Sequence, residues 1–159
     1  MIRSKINKQI FAKSNYPVYF SFLLLAIINI FYVTAEINKP NVLKSMGYDI
    51  TESSVFQVSK AEIERLSAVS NYSLQFESAF IIISLLCMIF LLTKRVRPFF
   101  TGLIMMTFGF FSILFLLNIS LAAIFEAPQG NLTQLLVIPF QLLVLTCIYG
   151  FLKFRNQIH

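Results

Sequence analysis

The polar positions of this chain are gathered into short blocks, and between them lie long stretches that carry no helical or strand alternation at all. Residues 14–35 hold no charge, and 18–35 are almost wholly apolar; further uncharged runs occupy 78–93, 98–125 and 127–152. A helix rises about 1.5 Å per residue and needs about 20 apolar residues to cross a hydrocarbon core about 30 Å thick. The first, third and fourth runs meet that length. The second reaches only about 24 Å, so its helix must begin earlier in the chain and carry Glu77 near the membrane interface. The pattern predicts spans over about 17–35, 73–93, 99–125 and 132–152, within one domain covering 1–159.

The long block between the first two spans, 36–72, divides in two. Its first half, EINKPNVLKSMGYDITESSVFQ, lacks helical periodicity and contains Lys39-Pro40 and Gly47, which predicts an irregular loop. At Ser59 the pattern changes. Ser-Lys-Ala-Glu is a capping box, in which the Ser59 hydroxyl accepts from the Glu62 amide and Glu62 reaches back. Val58 and Ile63 supply a hydrophobic staple, and no Pro or Gly follows until Pro98. One helix is therefore expected from about residue 60 to 93, with a helical extension over 59–72 projecting beyond the lipid. Ile63, Leu66 and Leu74 share its face with Ser67, Ser70, Ser73 and Glu77, and small hydroxyl residues at that spacing permit close helix approach.

Composition agrees with the pattern. The chain is 57% hydrophobic and 13% charged with 18 Phe, and its mean hydropathy is +0.76; a soluble protein of this size cannot hide so much apolar surface. The expected fold class is an all-α polytopic membrane protein with four transmembrane helices. Charge then orients it. Arg3, Lys5, Lys8, Lys13, Lys94, Arg95, Arg97, Lys153 and Arg155 fall on one side, and all 7 acids fall on the other with Lys39, Lys44, Lys60 and Arg65. The positive-inside rule puts both termini in the cytoplasm. A cleavable signal peptide is the competing reading of the start, where VTA precedes Glu36, but the apolar run exceeds the roughly 7–15 residues of such a peptide. Richness in Lys, Asn, Ile and Phe points to an AT-rich bacterial gene and hence to the inner (plasma) membrane.

Chemistry is sparse. The one histidine is His159, at the chain end, with no ligand cluster around it. No acid, Lys or Arg lies deep in a span to carry a proton relay, Ser and Cys have no His partner for nucleophilic catalysis, and P-loop, glycine fingerprint and metal spacing are all absent. No enzyme activity, cofactor or metal is expected. Cys87 and Cys147 sit in apolar runs, as small buried hydrophobes do. Asn29, Ser84, Asn118, Gln134, Gln141 and Thr146 are expected to hydrogen-bond between helices. Gly102 and Gly109 are expected to admit close backbone approach, and Pro139 to kink the fourth helix. Glu36, Glu77 and Glu126 stand at one depth, able to attract a cation or a basic partner.

These features lead to a non-enzymatic protein acting by contact. Ile63, Leu66, Ser70 and Glu77 are its candidate interaction residues on the outer side. Lys94, Arg95 and Arg97, with Lys153 and Arg155, are candidates on the cytoplasmic side, where anionic membrane lipid also attracts them. Span number, size and orientation resemble the four-span membrane subunit of the Kiwa anti-phage system. That resemblance implies sensing of phage at the inner membrane with a cytosolic, DNA-binding effector as partner, and it carries over no residues. The layout is also similar to membrane immunity proteins against pore-forming colicins, which implies helix–helix recognition of a toxin inside the bilayer. An oligomeric channel or transporter subunit is a third reading; a claudin-like arrangement lacks that family's Trp and outer cysteine pair here. A homo-oligomer fits the first reading, and direct binding of nucleic acid is not expected.

Overall fold

The computed structural model describes residues 15–45, 60–94, 96–125, 127 and 129–155, without the side chains of 40–45, 62, 66, 69 and 129. The described residues form helices α1 (Tyr16–Ser45), α2 (Lys60–Leu92), α3 (Arg97–Ile124) and α4 (Gln129–Arg155) and no strand. All four are long and apolar enough to cross a membrane. Successive crossings bring the start of α1 and the end of α4 to one end of the bundle, the terminal end. The opposite end, where α1 gives way to α2 and α3 to α4, is the distal end.

The helices pair as two antiparallel hairpins, α1 with α2 and α3 with α4, which join mainly through α2 and α4. The α1–α3 seam is much looser. Phe80 and Phe111 fill the centre with ring centroids 6.4 Å apart, and Phe140 meets Phe111 edge-on at 5.8 Å. Around them Leu25, Met88, Leu91, Leu103, Leu132, Leu135 and Leu136 are completely buried. Phe22 stacks on Phe110 at 4.5 Å and closes part of the loose seam. The outward faces are equally apolar: Phe20, Ile30, Leu86, Met105, Leu116, Leu145 and Phe151 are all exposed. Helices apolar all round belong inside a large core or in lipid, and with no more than 33% of any spanning window buried, the surrounding medium must be lipid. The chain is a multi-pass membrane protein.

A polar layer crosses this core. Asn29 Nδ2 donates to Asn118 Oδ1 at 2.9 Å, Asn118 Nδ2 donates back to Asn29 Oδ1 at 3.0 Å, and the Asn118 amide also donates to the Leu132 carbonyl at 2.9 Å. This ties α1, α3 and α4 together. Thr107 and Thr146 return their hydroxyls to carbonyls one turn back on their own helices. Ser84 Oγ is buried without a hydrogen-bond partner among the described residues.

Two features differ from the sequence reading. The loop expected from residue 36 begins later, because α1 continues through Lys39-Pro40 to Ser45. A proline removes one hydrogen bond, whereas packing of Ile37 against the core and the side-chain pairs around Glu36 hold the turn. Gly109 faces open space, and the close approach occurs at Gly150, where an added Cβ would lie 2.0 Å from the Phe100 ring. Pro139 lies inside α4, where the helix continues on both sides of it. The capping box at Ser59 lies outside the described residues; α2 begins at the next one, Lys60.

Candidate functional site, a polar cleft at the distal end

At the distal end, polar side chains from three helices converge on a cavity of about 160 Å³. Helix α1 contributes Tyr32, Glu36 and Lys39, α2 contributes Ser70, Ser73, Leu74 and Glu77, and α4 contributes Asn131 and Gln134. The spacings are i, i+4, i+7 on α1, i, i+3, i+4, i+7 on α2 and i, i+3 on α4. Each set is therefore one face of its helix. The faces meet because α1 pairs with α2 and α4 starts beside both.

Glu36 is the structural centre. It is only 5% exposed, so its charge requires partners. The Lys39 ammonium forms an ion pair with Oε1, and the Asn131 Nδ2 donates to Oε2 at 3.3 Å. Asn131 is held in turn by Tyr32, whose hydroxyl donates to the Asn131 carbonyl at 2.7 Å. A buried carboxylate left without its partner costs several kcal/mol; with them, the network pins the first turn of α4 onto α1. Glu77 is half-buried on the α2 wall and makes the cleft electronegative once Glu36 and Lys39 have paired. A water takes about 30 Å³ in liquid, so the cavity admits a few waters or one small cationic group. Among the described residues no group of His, Cys, Asp and Glu is arranged to hold a metal ion.

The structure brings only some of the candidate residues together. Ser70 and Glu77 both line the cleft. Ile63 lies beyond it on α2, 55% exposed. The Leu66 side chain, Arg95 and Glu126 fall outside the described residues, so only Glu36 and Glu77 of the three interfacial acids are seen to meet. Lys94 and Arg97 are at the terminal end. The Lys94 ammonium sits 4.2 Å over the Phe90 ring, and burial there holds its pKa below the usual lysine value. Arg97 opens α3 and is exposed.

Tyr32, Lys39, Ser73 and Asn131 belong to the cleft but were not singled out as site residues from the sequence. The spacing of Tyr32, Glu36 and Lys39 is a usable signal, but only once α1 is known to continue past residue 36. A second polar contact seals the terminal end: Lys153 Nζ donates to the Leu92 carbonyl at 2.7 Å and the Lys94 carbonyl at 3.1 Å. Both carbonyls lie where α2 ends, so the cation caps that helix. No protein-family model, curated protein or solved structure matches this chain.

Proposed function

We propose that this chain is a non-enzymatic protein of the bacterial inner membrane, with both termini in the cytoplasm, that acts by protein–protein contact. In this reading it is the membrane sensor or scaffold subunit of an anti-phage defence system, as its layout-level resemblance to the Kiwa subunit implies. The observation that carries it is the reach of α2. Its 33 residues span about 50 Å against a hydrocarbon core of about 30 Å. The excess lies at the distal end and carries exposed Ile63 and Tyr72. Apolar side chains held on a projecting helix suit a protein partner, and α2 continues from them directly into the bundle core at Phe80. A contact made there is delivered to the packed helices without a flexible joint.

The test is affinity purification of the whole chain from native membranes in mild detergent, reading complex mass and co-purifying proteins together. A complex heavier than one chain is expected, and Ile63→Asp should release the partner while leaving elution of the chain itself unchanged. A monomer with no co-purifying protein sinks the reading.

The loose α1–α3 seam favours one second reading, an immunity protein against a pore-forming bacteriocin. A mostly apolar cavity of about 420 Å³ lies there between Ile30, Val33, Leu114 and Leu117, a place for a toxin helix to dock within the bilayer. Expression would then protect cells from one toxin in a panel of pore-formers; protection from none ends this alternative.

A further inference from the structure

The terminal end holds a second cavity, built quite differently from the distal cleft. Between α3 and α4 an apolar groove of about 230 Å³ is walled by Phe100, Ile104, Cys147 and Phe151 and rimmed by Arg97 and Arg155. Its floor is set by a small residue. The Phe100 ring lies directly against the Gly150 backbone, with Phe154 tilted beside it at a centroid distance of 5.4 Å. Any Cβ at position 150 would push the Phe100 ring aside and alter the groove.

The two arginines lie at the ends of antiparallel helices, Arg97 as the first residue of α3 and Arg155 as the last of α4. Both guanidinium groups are exposed, and neither has a hydrogen-bond or ion-pair partner among the described residues. The neighbouring Lys153 differs, since its ammonium is already spent on the carbonyls that end α2. Thr101 adds an exposed residue with a hydroxyl one turn deeper in the same groove. Two free cations therefore mark the interfacial mouth of a slot whose walls run into the hydrocarbon.

We infer that this groove is a binding site for one anionic phospholipid. The phosphodiester lies between Arg97 and Arg155, whose planar, fork-shaped donors match phosphate oxygens, and part of an acyl chain lies along Phe100, Ile104, Cys147 and Phe151. A soluble phosphate would satisfy the arginines but leave the apolar wall unused, and a zwitterionic lipid would fill the wall while bringing its own cation to the arginines. Only an anionic lipid meets both halves of the site. This inference does not depend on the identity of any protein partner.

The experiment is native mass spectrometry of the full chain in detergent, titrated with phosphatidylglycerol, with phosphatidylcholine of the same acyl chains, and with inorganic phosphate. At about fivefold per basic residue near an anionic headgroup, phosphatidylglycerol should bind roughly 30-fold more tightly than phosphatidylcholine. Arg97→Ala with Arg155→Ala should reduce phosphatidylglycerol to the phosphatidylcholine level, and the paired Lys substitutions, which keep the charge but lose the fork, should restore only part of the preference. Cys147→Trp, which fills the groove and leaves the arginines in place, should weaken phosphatidylglycerol binding. Equal binding of the two lipids by the unmodified chain overturns the inference, with no variant needed. So does retention of phosphatidylglycerol within twofold by the double alanine variant, or saturation by inorganic phosphate at the same concentration as the lipid.

Discussion

Asn29 and Asn118 show how single polar residues act where no water is at hand. Each amide is both donor and acceptor for the other, and Asn118 holds the Leu132 carbonyl as well. Replacing one Asn strands the groups of its partner, which is the costly case; replacing both removes donor and acceptor together. Asn29→Leu is expected to cost about 1 kcal/mol and Asn118→Leu somewhat more, up to about 2 kcal/mol. The double substitution should cost less than the two added together, as read from reversible unfolding in mixed micelles. Strict additivity would mean the two amides are not coupled. Ser84, completely buried with no hydrogen-bond partner for its hydroxyl among the described residues, is the opposite case, and nothing in the structure explains why a polar residue stands there.

Among the elements, α2 depends most on a residue from elsewhere. It has no basic residue in its own last turn, and although the Phe90 and Leu91 carbonyls accept from Thr93 and Lys94, the Leu92 carbonyl would otherwise face the interface unsatisfied. Lys153 of α4 supplies the missing donor and the positive charge that suits a helix C-terminus. Lys153→Met should lower stability by about 1–2 kcal/mol, and Lys153→Arg should recover much of the loss, measured by thermal unfolding in detergent. Equal losses from Met and Arg would show that length and packing matter there rather than charge. The extension of α1 is a second case in which a partner overrides local sequence. Pro40 and its polar neighbours argue for a loop, yet Ile37 packs on the core and Glu36 sits in the cleft network, so the helix is carried onward to Ser45.

For the whole molecule, the asymmetry of charge and the two unlike cavities lie along the same axis. The distal end has the electronegative cleft at Glu36 and Glu77; the terminal end has the arginine-rimmed groove. In the orientation proposed from the positive-inside rule, the terminal end faces the cytoplasm. In a chain with Cys87→Ser and Cys147→Ser, a cysteine placed by Ile63→Cys should react with a membrane-impermeant maleimide in intact cells. One placed by Arg155→Cys should react only after the membrane is opened. The reverse pattern would invert the topology and with it the assignment of the projecting helix to the outside.

The spans were legible because lipid imposes one simple requirement, a long uncharged run whose backbone is bonded internally. Residues 98–125 could hardly be anything but α3. The short run at 78–93 even required that its helix start earlier, and α2 does begin at Lys60. The sites were less legible. Ser70 and Glu77 could be chosen from their helical spacing, but Tyr32, Lys39 and Asn131 reach the cleft only through the pairing of α1 with α2 and α4. Gly150 carries no signal of its own in the sequence, and only the packing of α3 on α4 sets the Phe100 ring against it. By itself the sequence determined that there are four spanning helices, roughly where they lie, and which ends share a charge. Tertiary structure decided which faces meet: in a chain apolar on every side, hydrophobic patterning cannot distinguish the surface that packs on a neighbour from the one that faces lipid.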